Sequence, residues 1–175
     1  GIEAYWARPE TRYMHPTTVS LNNRSIQARW RWNPDNCNSG TYARTRDFIM
    51  KFTRALHEAG VPVMMGTDSP TVLGVPGFSA LDEVQALVDS GIPLKDALKM
   101  ATWNGGEFIS RKLALDVPFG AIKQGWRADL LLLGSNPLET PGNLEDIVGV
   151  MSAGRWKSSS WFATQLEAIA QSYGN

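Results

Sequence analysis

The stretch GVPVMMGTDSPT, residues 60–71, carries one carboxylate, Asp68, behind a short apolar run and ahead of a Ser-Pro turn. Two chemistries are open to a carboxylate in that place. It can ligate a metal and take a proton from an activated water, or it can cap the turn that follows. The residues alone leave both open. Few other groups could act with it: the chain has two histidines, His15 and His57, and one cysteine, Cys37. A catalytic zinc takes about three protein ligands. Asp68, His15 and His57 are the one conceivable set, and nothing in their spacing brings them together. His57 falls on the polar side of a helical pattern and is expected in solvent. His15, before Pro16, is expected in a loop. Cys37, in NPDNCNSG, is expected to be an inert loop thiol, and a lone cysteine forms no intrachain disulfide.

Other motifs point to structure rather than chemistry. RWRW, residues 29–32, interleaves cations with aromatics as single-strand binders do, but it is isolated and reads as helix surface plus core tryptophan. Ser79 has Leu81 where a nucleophile elbow carries its second glycine, so it is expected to cap a helix instead. WNGGEF, residues 103–108, lacks the Gly-Lys-Ser/Thr of a phosphate loop and reads as a turn leading into a helix. Asp82 and Glu83 suit the acidic first turn of a helix, and Asp129 is expected to cap or bend the start of a strand.

The elements that must position Asp68 follow from periodicity. Residues 44–59 form an amphipathic pattern with Phe48, Ile49, Phe52, Ala55, Leu56 and Ala59 in one stripe, and Gly60 stops it. Residues 61–65 then have the length and apolarity of a strand. A helix, a glycine and a strand in succession make an α/β unit. Beyond a Gly/Pro-rich loop, residues 79–90 are expected to be a helix with Leu81, Val84, Leu87 and Val88 inward, ended by Gly91. Pro93 opens another with Leu94, Ala97, Leu98 and Ala101 on one face, and a short helix is expected over 106–112. Upstream, the irregular residues 1–43 hold one short helix around 25–32. Downstream, FGAIKQGWRADLLLLGSNPL reads as a short strand, a glycine turn and a buried strand over 128–133. DIVGVMSAGRW reads as a strand with a hairpin turn at Ala153-Gly154. Residues 161–173 close as a helix with Phe162, Leu166, Ile169 and Ala170 inward.

Seventeen basic residues balance seventeen acidic ones over 175 residues, so electrostatics argue for neither nucleic acid nor an anionic membrane as partner. No run of about 18 apolar residues would span a bilayer. The amino-terminus, mixed and polar without an initiator methionine, reads as the inside of a longer gene product rather than a signal peptide. Nothing in the sequence fixes a compartment.

Two stretches in order, ALHEAGVPVMMGTDSP…VPGFSALDEVQALVDSGIPLKDALKMATWN and FGAIKQGWRADLLLLGSNPLE…NLEDIVGVMSAGRW, resemble the carboxyl-terminal part of the metal-dependent amidohydrolases, nearest the imidazolonepropionase-like and dipeptidase-like group. The resemblance is good over residues 44–156. It implies an α/β fold: the last units of a (β/α)8 TIM barrel over 1–118, strands of the family's composite β-sandwich over 119–161, and a terminal helix over 162–175. It implies hydrolysis of amide, peptide or cyclic-amide C–N bonds through a metal-activated water. Asp68 matches the aspartate of the last barrel strand, at once metal ligand and proton acceptor, with Gly66 turning the backbone there. Ser69, Pro70, Thr71 and Phe78 would line the substrate mouth. The implied cofactor is a divalent metal, zinc, in the full-length enzyme.

The resemblance also exposes a shortfall. A (β/α)8 barrel takes about 250 residues, and the family's His-x-His pair, mid-barrel Lys or Glu and later histidines are absent here. Leu81 stands where relatives carry a histidine. The chain alone is therefore expected to be inactive and without bound metal, its partners being a small amide or peptide substrate and either a second copy or a missing amino-terminal half. The alternative is a non-catalytic, truncated module that oligomerises or binds a partner, its open sheet edges favouring pairing.

Overall fold

Between residues 41 and 101 apolar stripes alternate with glycine stops, and the chain folds accordingly into three successive helices. The computed structural model describes residues 4, 6–29, 40–70, 74–113 and 118–174, apart from the side chains of 25–29 and 113. A 3-10 turn (Pro9–Tyr13) leads to α1 (Pro16–Arg29), then α2 (Thr41–Glu58), α3 (Phe78–Asp89), α4 (Leu94–Ala101) and α5 (Trp103–Leu113). Strand β1 (Leu130–Leu133), a second 3-10 turn (Pro141–Glu145), β2 (Ile147–Ser152), β3 (Arg155–Ser158) and α6 (Ser159–Ser172) complete the order. The result is a mixed helix and small-sheet fold, compatible with part of an amidohydrolase domain. Among the described residues no helix is long and apolar enough to cross a membrane. Cys37, Thr71 and Trp30 to Trp32 lie outside the described residues.

The core sits where α3 and α4 face each other. Val84, Leu87, Ile92, Ala97 and Met100 are buried there with Leu144 of the second 3-10 turn, and Val63, Met65, Leu81, Val88, Leu94, Leu98, Ala101 and Leu133 pack around them. The stripes expected on these two helices are therefore the ones that pack. Gly91, at φ +93°, takes the left-handed turn between them. Burying a side chain such as Ile92 is worth about 1.5–3 kcal/mol.

The sheet is antiparallel in the order β1-β2-β3. Leu130 pairs with Met151 and Leu132 with Gly149, and the register slips before Leu133, which pairs with Ile147. The hairpin turn falls at Ala153-Gly154 as expected, both residues having positive φ (48° and 78°). That is the backbone a tight right-twisted hairpin requires.

Several expectations need correction. The first helix begins at Pro16, not near 25, because His15 caps it: its Nδ1 accepts from the Thr17 amide at 3.1 Å and its carbonyl from Val19 at 3.2 Å. Residues 61–68 form no strand and join no ladder, since no described strand lies beside them to pair with, and the Val63 amide instead closes a turn on the Val61 carbonyl at 2.8 Å. The stripe of α2 is not a buried face: Phe48, Ile49 and Phe52 stay exposed because no described element covers that side. Ser79 does not cap α3. Gly77 holds the N-cap position, and the buried Ser79 hydroxyl donates back to the Val75 carbonyl at 3.0 Å. WNGGEF is not a turn before a helix but the first half of α5. Residue 119 onward forms no strand before β1. That strand is shorter than expected and not buried, with Leu131 and Leu132 exposed on the sheet's edge. Ile169 likewise faces solvent, while Ala170 on the same helix is fully buried.

Candidate functional site

Asp68 ends the irregular segment 61–68 and is exposed. The expected glycine pivot is not Gly66. Asp68 itself takes the left-handed conformation, at φ +51°, a region that aspartate tolerates better than most residues. The bond after it, Ser69-Pro70, is cis.

Two helices hold the run from behind. The Met65 amide donates to the Met100 carbonyl at 3.2 Å, satisfying one of the carbonyls that the end of α4 leaves open. Asn104, in the first turn of α5, donates from Nδ2 to the Val63 carbonyl at 2.7 Å. Beyond Asp68 the Ser69 amide donates to Thr67 Oγ1 at 3.2 Å. Asn22, on α1, donates from Nδ2 to the Pro70 carbonyl at 2.6 Å. Gly74 closes the loop from the other side: a Cβ there would lie 2.7 Å from Ser69 Oγ and 3.0 Å from its Cα. The Ser69 hydroxyl is buried in that contact, without a hydrogen-bond partner among the described residues. Asn22, Gly74 and Asn104 have no signature in the sequence.

The substrate-mouth residues are placed unevenly. Pro70 is exposed beside Asp68, Ser69 turns its hydroxyl inward, and Phe78 stacks on Tyr13 at 5.8 Å between ring centroids. Around the start of α3, Asp82 accepts both Arg8 guanidinium nitrogens at 2.7 and 3.1 Å. Burial, and secondarily the Asp82 carboxylate, push the Glu83 carboxyl above its ordinary range.

The histidines do not join Asp68. His15 stands edge-on to Tyr173, ring centroids 5.1 Å apart. His57 corrects the expectation of a solvated ring: it is half-buried, its Nε2 3.5 Å from Asp96 Oδ2. It lines a polar cleft with Val61, Pro62, Lys99, Asn104 and Glu107, at the start of the run whose far end is Asp68. Among the described residues no three His, Cys, Asp or Glu side chains group to hold a metal ion. Asp68 offers one oxygen donor where a catalytic ion takes about three protein ligands, so the described residues do not by themselves fit such an ion.

A model of the amidohydrolase family matches residues 13–157. The chain belongs to the amidohydrolase family. No curated protein matches it. Membership makes it a hydrolase of the amidohydrolase type, and amidohydrolases generally use divalent metals. The matched span contains α1 to α5, Asp68 and its clamps, and the sheet through Lys157.

Proposed function

We propose that this chain is the carboxyl-terminal portion of an amidohydrolase that cleaves C–N bonds of amide, peptide or cyclic-amide substrates, in the imidazolonepropionase-like and dipeptidase-like group. The observation that carries the reading is the presentation of Asp68: one exposed carboxylate at the end of an irregular segment that two helices hold from behind. That is where open α/β architectures place reacting groups. In this reading 61–65 is the last barrel strand and residues 119–161 belong to the composite sandwich. Asp68 is one ligand of a divalent metal, zinc, whose imidazole ligands come from outside the described residues. Its carboxylate would accept the proton of the attacking water, and Ser69, Pro70, Thr71 and Phe78 would border the substrate.

Two features support a missing complement. Among the described residues the main-chain groups of 61–68 are largely without strand partners, although a buried sheet would pair them. Among the described residues more large hydrophobics are exposed than buried, including Phe48, Ile49, Phe52, Leu131 and Leu132.

The test uses the full gene product against dipeptides, N-acyl amino acids and cyclic ureides. Asp68→Asn should lower kcat about 10²- to 10⁴-fold with the fold intact by circular dichroism. Hydrolysis by Asp68→Asn at the wild-type rate would sink the reading. So would stoichiometric zinc in the purified 175-residue chain, which would contradict the split ligand set.

A further inference from the structure

We propose that Asn22 is a positioning residue for Asp68, acting through the loop that follows it. The proposal rests on the reading of Asp68 as a site carboxylate. A non-glycine residue at φ +51° sits in a sparsely populated region, and it persists only where its surroundings fix it. Here the fixing is two-sided. Upstream, Asn104 and the end of α4 hold 63–65. Downstream, the local Ser69-to-Thr67 bond closes the turn, but it moves with the loop and cannot anchor it. The anchor is the Asn22 amide on the Pro70 carbonyl, 2.6 Å across a separation of 48 residues. Asn22 stands in the second turn of α1, a helix capped by His15, so the donor comes from a rigid element, the arrangement that keeps a reacting group within tolerance.

The chemistry needs that anchor. A carboxylate that takes a proton must stay within hydrogen-bond reach of it, and a displacement of about 1 Å costs up to about a hundredfold in rate. Without Asn22 the Pro70 carbonyl turns to water and the loop after Asp68 loses the hydrogen bond that ties it to α1.

Asn22→Leu keeps the bulk, removes the donor and raises helix propensity, so α1 is not weakened. Ser20→Ala, exposed on the same helix, is the control. In the full gene product, hydrogen exchange of the peptide covering 66–70 should speed up about tenfold in Asn22→Leu and not in Ser20→Ala. In the hydrolysis assay kcat should fall tenfold or more with KM within twofold, and Asn22→Gln, which keeps an amide donor, should recover part of it. Wild-type exchange at 66–70 in Asn22→Leu would overturn the proposal, as would a loss that appears in KM alone. A wild-type rate for Asp68→Asn would instead remove the site reading, whatever the exchange shows.

Discussion

The Asp129 carboxylate accepts the Ala153 amide at 2.7 Å, tying the residue before β1 to the turn between β2 and β3. The Gly154 amide donates to the Ala128 carbonyl at 3.0 Å beside it, so the first strand and the hairpin turn are fastened at one corner. Arg127 Nε lies 2.7 Å from the other Asp129 oxygen and holds the carboxylate in place. Ala153 occupies a left-handed conformation that alanine disfavours, and this bond offsets part of that cost. Asp129→Ala should lower stability by about 1–2 kcal/mol, read from the midpoint of chemical unfolding. Asp129→Asn, which keeps an accepting oxygen, should lose less than half as much.

Adjacent glycines in α5 should respond to alanine in opposite directions. A Cβ at Gly105 meets nothing within 4 Å, whereas one at Gly106 would lie 2.2 Å from the Phe119 carbonyl oxygen. Glycine-to-alanine in a helix interior gains up to about 1 kcal/mol when space is free. Gly105→Ala should therefore stabilise by that order. Gly106→Ala must move main chain, and overpacking of this kind costs about 1–3 kcal/mol. The comparison is a pair of thermal melts. Equal shifts would mean that α5 and the 118–120 segment do not touch as described.

What the sequence disclosed depended on how local the cause was. The stripes of α3 and α4, with Gly91 and Pro93 between them, are set by neighbours within a turn or two, and they were readable. The hairpin at Ala153-Gly154 was readable because two residues fix its backbone. Asp68 was legible as a candidate through the apolar run before it and the family pattern. The restraints around it were not, because Asn22 and Asn104 reach main-chain carbonyls 48 and 41 residues away. A side chain bonding a carbonyl leaves no pattern, since every residue offers the same acceptor. The stripe of α2 misled in the other direction: its periodicity is genuine, but burial depends on a neighbour that the stripe does not encode.

Glu83 should make stability depend on pH in a direction unusual for a carboxylate. Burial first, and the neighbouring Asp82 second, raise its pKa in the folded chain above the ordinary carboxyl value of 4.5. Between the unfolded and the raised folded pKa the native state holds more protons than the unfolded one, so stability falls as pH rises through that window. Above the window the ionised, half-buried carboxylate is a constant penalty, and below pH 4.5 the penalty is gone. Glu83→Gln should therefore be more stable than wild type at pH 7, with the gap closing at pH 4. Urea unfolding at both values measures it. A gap that widens on acidification would reverse the assigned direction.

Phe48 and Phe52 stack on one another with centroids 5.9 Å apart and are 66% and 53% exposed. A substitution on a surface that nothing covers changes stability by no more than about 0.5 kcal/mol. In the 175-residue chain Phe52→Ser should stay within that limit. Ile92→Ala, at a side chain 2% exposed in the core, should cost about 2–5 kcal/mol. In the longer gene product that the proposed function calls for, the two should converge. If α2 packs there against a preceding barrel unit, Phe52→Ser removes a buried aromatic and costs about 3 kcal/mol or more, while Ile92→Ala is unchanged. Denaturation midpoints of both variants in both lengths of chain decide this. A Phe52→Ser effect that stays small there would leave the stripe solvent-facing too, and the proposed complement would then cover residues 61–68 and β1 without it.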